Sequence, residues 1–369
     1  MIESAVIESI DAQALEIPFK TSFSHAAASR NAMHSLWVEA GLRDGTTGFG
    51  EGCPRDYVTG ETLAGALAFV AGHREAWLGE IRGFESLAAW VRSHRTDIDA
   101  NPAAWCAVEL ALLDAFASQA GGTVEALLGL PVLGGKFRYT AVLGDSAAKR
   151  FEAEITRYRQ AGFRDFKIKL SGNLQRDLDK VALLKAADIA PGAVRADANN
   201  LWTDDDDAIR FLSGLDYRFK AIEEPLRAGD HAGMDRIAAQ TGSSIILDES
   251  LLRADQLSRF ADSPARWIVN LRISKMGGLI RSLELLELVR KSGLRVIVGA
   301  HVGETSLLTR AAMTIANAAR DILVAQEGAF GTHLLEHDVI DAPIMFGAGG
   351  VLDAAQLPTG PGFGVKPVI

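Results

Sequence analysis

Apolar and polar residues alternate along Ala5 to Ile17 and again along His34 to Gly48. With Asp44-Gly45 as a turn signal, the pattern predicts an opening antiparallel meander. The period then changes. From Pro102 to Gln119, Trp105, Val108, Leu112 and Ala115 recur at steps of three and four, the spacing of one helix face. Gly121-Gly122 and Gly134-Gly135 punctuate the chain beyond it. Strands first and helices second predict a separate α+β unit over residues 1–130.

A different rhythm starts near Phe137. Short apolar runs appear at Tyr139–Leu143, Phe166–Leu170, Val194–Ala196, Phe219–Ile222, Ile245–Leu247, Trp267–Leu271, Val296–Val298 and Leu323–Ala325. Each leads into a polar or Gly-containing loop and then a helical pattern such as Leu178–Ala187 or Leu283–Lys291. Strand-then-helix units repeating every roughly 25 residues are what an eight-fold β/α barrel requires. The fold class is therefore α/β: a (β/α)8-type barrel, a modified TIM barrel, over residues 131–350, behind an N-terminal α+β capping domain. The last unit is the least regular, which leaves a seven-unit or open-sheet variant as the alternative. Residues 351–369 carry Pro358, Pro361 and several glycines without periodicity, and are expected to pack back on the first domain.

Composition narrows the class of partner. Of 369 residues, 48% are hydrophobic and 23% charged, the balance of a chain that builds cores rather than a disordered one. A net charge of −9 argues against binding nucleic acid phosphates. Met1-Ile2-Glu3-Ser4 has no basic leader with an apolar stretch behind it, and no apolar run approaches the roughly 18 residues that span a bilayer. Cys53 and Cys106 match neither a disulfide framework nor a zinc pattern. The expectation is a soluble cytoplasmic protein with a small-molecule partner, no nucleic acid and no membrane, associating as a homo-oligomer.

In a β/α barrel the chemistry sits at the C-terminal strand ends. Those positions hold Lys167 and Lys169, Asp197 and Asn199, Glu223, Asp248 and Glu249, Arg272 and Lys275, His301 and Glu304, and Glu327. Asp197, Glu223 and Asp248, from three consecutive strands, converge on one point. Three hard carboxylates with room for water suit Mg²⁺, with Mn²⁺ as a substitute, and without a cation they would repel one another. A single such residue would more often cap the following helix; three together favour the metal. Lys167 and Lys169 flank Ile168, so strand periodicity aims both into the barrel mouth. Neighbouring ammonium groups depress each other's pKa, one route to a lysine general base. Asp204 to Asp207 sit at a helix start, where acidic groups suit the helix dipole better than a metal reading requires.

Lys-x-Lys at 167–169, Asp-Ala-Asn at 197–199, Ile-Glu-Glu-Pro at 222–225, Leu-Asp-Glu-Ser at 247–250 and Lys-Met-Gly-Gly at 275–278 together resemble the enolase superfamily. The Lys-x-Lys form resembles its muconate lactonizing branch, which includes muconate cycloisomerases, o-succinylbenzoate synthases, N-acylamino acid racemases and dipeptide epimerases. The resemblance runs the length of the chain, to Leu-Pro-x-Gly-Pro-Gly-x-Gly at Leu357–Gly364. It implies Mg²⁺ ligation by Asp197, Glu223 and Asp248, with Lys169 as general acid/base and Lys167 as its electrostatic partner near a substrate carboxylate. Asn199, Glu249 and Lys275 match positions behind the ligands, and Glu327 matches the eighth-strand acid of muconate cycloisomerases. Two segments of the first domain, Phe23 to Arg30 and Arg55 to Thr62, match loops that shape specificity. His25, Arg55, Asp56 and Tyr57 are the candidate substrate contacts there, with ordinary surface loop an almost equal alternative.

One departure matters. Three residues before Lys275 the family pattern places a second catalytic lysine, and this chain has Arg272. A guanidinium holds a carboxylate well but is a poor base. His301 is open to three readings: a base facing Lys169, a substrate hydrogen-bond donor, or a ring satisfied by Glu304. The expected activity is Mg²⁺-dependent proton transfer α to a carboxylate through an enediolate. Arg272 favours a one-base outcome, cycloisomerisation or β-elimination. The alternative is a racemase or epimerase of N-acylamino acids or dipeptides with His301 as second base, and a third reading is a non-catalytic carboxylate binder.

Overall fold

The structure is a computed structural model that describes residues 5–25 and 28–368, of residues 21–25 and 28–30 the backbone alone. Three antiparallel strands come first: β1 (Ile7–His25), β2 (Ala28–Leu42) and β3 (Thr47–Gly52), in that order across the sheet. The meander is as expected but its breaks are not. The run expected over His34–Gly48 is cut between Leu42 and Thr47, where Gly45 takes φ +87° and Leu42 accepts a hydrogen bond from its amide. Within Phe23 to Arg30, expected as a loop, Phe23–His25 instead pair with Ala28–Arg30 as the continuation of β1 and β2, past a register shift between Pro18 and Phe23. The stretch lacks an alternating apolar pattern, so nothing in it signals a strand.

Four helices follow: α1 (Leu63–Glu80), α2 (Phe84–Ser93), α3 (Arg95–Ala100) and α4 (Pro102–Gln119), of which α1 and α4 pack on the sheet. α4 spans the residues its periodicity predicts, and its side chains from Pro102 to Ala117 are all buried. It lies directly on β3 because every second residue of that strand is glycine. A Cβ on Gly48, Gly50 or Gly52 would stand within about 2 Å of a carbonyl oxygen of α4, at Ala111, Ala107 and Ala103 respectively. The alternation is thus a contact surface rather than a flexible segment.

β4 (Lys136–Arg138) precedes the barrel and pairs with β13 (Val351–Asp353) near the end of the chain. Between them run eight parallel strands in sequence order: β5 (Ala141–Leu143), β6 (Phe166–Lys169), β7 (Val194–Asp197), β8 (Ala221–Glu223), β9 (Ser244–Leu247), β10 (Trp267–Leu271), β11 (Arg295–Val298) and β12 (Leu323–Gln326). The sheet curls until its ends meet. Tyr139 bridges Gln326 in parallel, and the Thr140 amide donates to the Gln326 carbonyl at 2.9 Å. The fold is a (β/α)8-type barrel with an N-terminal β-rich cap. After β13, Gly362 pairs with Thr123 and the Phe363 amide donates to Asp114 of α4 at 2.7 Å, so the last turn of chain rests on the cap.

Candidate active site

Register aligns the chemistry. Lys169, Asp197 and Glu223 are hydrogen-bonded neighbours across β6, β7 and β8, at the C-terminal edge of the barrel. Asp248 follows β9 by one residue, and Arg272 follows β10 by one. Parity turns these side chains inward, where Asp197, Glu223 and Asp248 are almost fully buried.

The carboxylates and cations interleave. Lys167 Nζ lies 3.2 Å from Asp197, 2.6 Å from Glu223 and 3.1 Å from Glu327. Lys169 Nζ donates to Asp197 Oδ2 and Asn199 Oδ1, each at 2.6 Å. Arg272 donates to Asp248 through Nη2, which is 3.6 Å from Glu223, and its Nη1 is 3.3 Å from His301 Nδ1. Lys275, read as a position behind the ligands, is buried and donates to the Asp248 carbonyl at 2.8 Å and its Oδ1 at 2.9 Å. Asn199 reaches its place through a left-handed φ of 46°, which an Asn side chain tolerates.

These pairings set the protonation states. Burial alone would raise Asp197, but Lys167 and Lys169 outweigh it and hold the carboxyl well below the usual range. Asp248 is likewise held down, by Arg272 and Lys275 against burial. Burial pushes Glu223 up to about 7 despite Lys167. Burial with repulsion from Asp248 and Glu224 pushes Glu249 up to about 9. Lys167 corrects an expectation. Burial would lower its ammonium, yet Asp197, Glu223 and Glu327 raise it far more, so the neighbouring lysine does not decide its state.

The donor set suits a hard divalent cation. Three buried carboxylates face one region, and Glu223 Oε2 accepts no hydrogen bond although Lys167 Nζ stands beside it. Among the described residues, the acidic oxygens drawn close enough to share one ion are those of Asp204, Asp205 and Asp206 instead. That trio belongs to a helix start: Asp204 caps it by accepting from the Asp207 amide, and Asp205 and Asp206 pair with Arg236. At the barrel mouth Lys167 and Arg272 stand between the carboxylates and keep them apart.

Lys167, Lys169, Asp197, Asn199, Glu249, Arg272, His301, Glu304, Glu327 and Tyr57 line one cavity of about 1160 Å³, with Tyr158, Phe163, Phe330 and Phe346 among its apolar walls. Arg55 does not reach it. Its guanidinium is buried on the backbone carbonyls of His34, Pro54 and Val302. His25 ends β1, and its side chain lies outside the described residues. Glu327 faces the cavity, but Lys167 and Arg195 hold both of its oxygens. For His301, Glu304 accepts from the backbone amide, at 2.6 Å. Sequence reasoning missed Arg195, wholly buried and paired with Glu327 at 2.9 Å and Asp165 at 2.6 Å. The signal was its position two before Asp197, which aims it into the same interior.

A family model described as enolase C-terminal domain-like matches residues 150–368. The chain belongs to the mandelate racemase/muconate lactonizing enzyme family of the enolase superfamily. Within this family it is 26% identical to a hydrophobic dipeptide epimerase of Enterococcus faecalis, over 88% of this chain and 91% of that one. An N-succinyl-L-Arg/Lys racemase of Bacillus cereus is 24% identical over 84% of each chain. A solved dipeptide epimerase of Enterococcus faecalis, complexed with Mg and the dipeptide L-Leu-L-Tyr, superposes with a TM-score of 0.82 at 25% identity, covering 98% of this chain and 99% of that one.

These relatives overturn the expected one-base outcome: they are epimerases and racemases, not cycloisomerases or lyases. They support the alternative instead, a racemase or epimerase. The structure sets the His301 imidazole, from the loop after β11, against the Arg272 guanidinium.

Proposed function

We propose that this enzyme racemises or epimerises the α-carbon of an N-acylated amino acid or a dipeptide, with Lys169 serving one face and His301 the other. The observation that supports it is the placement of both groups on one cavity, on β6 and beyond β11, with the buried carboxylate and cation array between them. Removing a proton α to a carboxylate gathers negative charge on the carboxylate oxygens, and preorganised cations there lower the barrier. Asp197, Glu223 and Asp248 are the residues to hold Mg²⁺, or Mn²⁺ in its place, and a cation held there supplies that charge stabilisation. Lys167 and Arg272 add positive charge from the protein itself.

Arg272 is always a donor, so its contact with His301 Nδ1 requires a ring lone pair there. A substrate carboxylate that draws the guanidinium toward itself exposes this lone pair to the α-proton. Binding and base activation are then one event. Lys169, in contact with Asp197 and Asn199, exchanges its proton at Nζ on the opposite face.

The substrate class rests on the relatives' chemistry and on the cavity, which is large enough for a dipeptide. The test is turnover in D₂O of N-succinyl-arginine, L-Leu-L-Tyr and L-Ala-L-Glu, read by mass and chirality. Inversion with one solvent deuteron at the α-carbon is the expected result. Exchange without inversion, or no reaction with any member, overturns the proposal.

A further inference from the structure

Arg55 lies in the cap, three residues past β3, and only 2% of it is exposed. Its Nη1 donates to the carbonyls of His34 at 2.8 Å and Pro54 at 2.9 Å, and its Nη2 donates to the Val302 carbonyl at 3.3 Å. A buried guanidinium is costly to desolvate and persists where its donors are engaged. Here they hold backbone, and one of the three carbonyls belongs to the residue after His301.

The barrel holds the start of that stretch, and Arg272 reaches the His301 ring. β11 ends at Val298, and the Gly299 amide makes a bond to the preceding strand, at 2.8 Å to the Leu271 carbonyl. At Val302, Gly303 and Thr305 the cap adds its own grip. Gly303, at φ +90°, sits so close to β2 and β1 that a Cβ there would be 2.5 Å from Met33 Cβ and 3.0 Å from the Phe19 ring. Thr305 donates from its hydroxyl to Glu51 of β3 at 2.5 Å, and from its amide to the same carboxylate at 3.2 Å. The His301 amide is fixed from within the loop by Glu304. Burial pushes Glu304 up to about 8, and Arg55 is among the groups that oppose that rise.

We infer that Arg55 is a positioning residue: through the Val302 carbonyl it sets the loop that carries His301, and so the proton transfer on one face of the substrate depends on the cap. This rests on the assignment of His301 as the second base. Arg55 touches no cavity surface, so its removal should leave substrate affinity and the Lys169 face intact.

The experiment uses the full chain with Arg55→Gln and Arg55→Lys, beside His301→Asn as reference. Two readouts are taken. The first is α-deuterium incorporation from each enantiomer or epimer separately in D₂O, with whichever of the three substrates named above turns over fastest. The second is amide hydrogen exchange of residues 299–306. Arg55→Gln is expected to slow incorporation about tenfold to a hundredfold for the one stereoisomer that His301→Asn also silences, as a misplaced group does. The other stereoisomer and KM should hold within about threefold, and amide exchange should rise in 299–306 but not in β12. Arg55→Lys, which keeps charge and donors, should recover part of the loss, and it carries the measurement if the glutamine variant does not fold. Equal slowing of both stereoisomers, or unchanged amide exchange, overturns the inference about Arg55. If His301→Asn itself slows both stereoisomers equally, the base assignment fails instead, and the amide exchange still reports whether Arg55 holds the loop.

Discussion

Buried acids crowd two regions of this protein, and they are held in opposite ways. At the barrel mouth the carboxylates face cations: Asp197 meets Lys167 and Lys169, Asp248 meets Arg272 and Lys275, and Glu327 meets Lys167 and Arg195. Along the cap and its seam with the barrel they face backbone amides. Glu61 accepts from Ala103 and Ala104 at the start of α4, and Glu109 of α4 accepts from Ile280 at the start of the helix Leu279–Lys291. Glu51 accepts from Thr305, and Asp114 from Phe49 and Phe363. Glu125, paired with Arg310, is the seam's exception. At the mouth cations outweigh burial for Asp197, Asp248 and Glu327 and hold them down, while burial still pushes Glu223 up to about 7 and Glu249 to about 9. At the seam burial wins, and pushes Glu51 and Glu109 up to about 7 and Asp114 to about 6. An amide row joins two bodies and needs no net charge. A charge array that stays ionised is matched to a ligand that brings charge of its own.

If that contrast is right, the mouth should respond to charge and the seam should not. The largest effect is expected from metal removal. Chelator-treated protein should lose epimerase or racemase activity and regain it with Mg²⁺ or Mn²⁺. Asp248→Asn should weaken Mg²⁺ binding, read by titration calorimetry. Full activity in thoroughly metal-free protein would sink the reading of the triad. Next comes Lys169→Ala, expected to lower turnover by about 10²–10⁴-fold, the usual contribution of a general base, while the fold is kept. A loss below tenfold would place the proton transfer elsewhere in the array.

The mouth was legible in the sequence because strand ends are marked positions. Lys167, Lys169, Asp197, Glu223 and Asp248 each break an apolar run at a predictable place, and β10 covers the very residues expected of it. The seam was not legible. Glu51 and Glu109 look like surface acids on an alternating strand and an amphipathic helix, and their amide partners are 254 and 171 residues away. Only the docking of cap on barrel brings them together. Arg55 was misjudged for the same reason: an arginine in a loop reads as exposed until β2 and the residues after β11 are folded around it. Arg195 was hidden differently, between the apolar Val194 and Ala196 of β7, with its partners Asp165 just before β6 and Glu327 just after β12. The relatives' reaction was legible only as the alternative, because Arg272 was given more weight than His301, and the sequence does not show that the fold sets the two side by side.

The smallest effect tests the seam. Glu51, Glu109 and Asp114 have ordinary values of 4.5, 4.5 and 3.8 and are raised in the folded chain to about 7, 7 and 6. Between those limits the folded state binds protons that the unfolded state has released. Stability must then fall as pH rises from about 5 to about 7.5. Glu223 and Glu224, raised by burial to about 7, add the same sign, and Glu304 and Glu249, raised to about 8 and about 9, carry the fall further. His231, lowered by burial, has the opposite sign near 6.5, but it is one partly exposed ring against several buried acids. The acids held down at the mouth titrate below their ordinary values and are silent in this window. The urea midpoint should therefore be higher at pH 5.5 than at pH 7.5, and Glu109→Gln, uncharged at both, should flatten the difference. A midpoint that climbs across this interval would mean that the seam acids are ionised in the folded protein, and that the two regions are built alike.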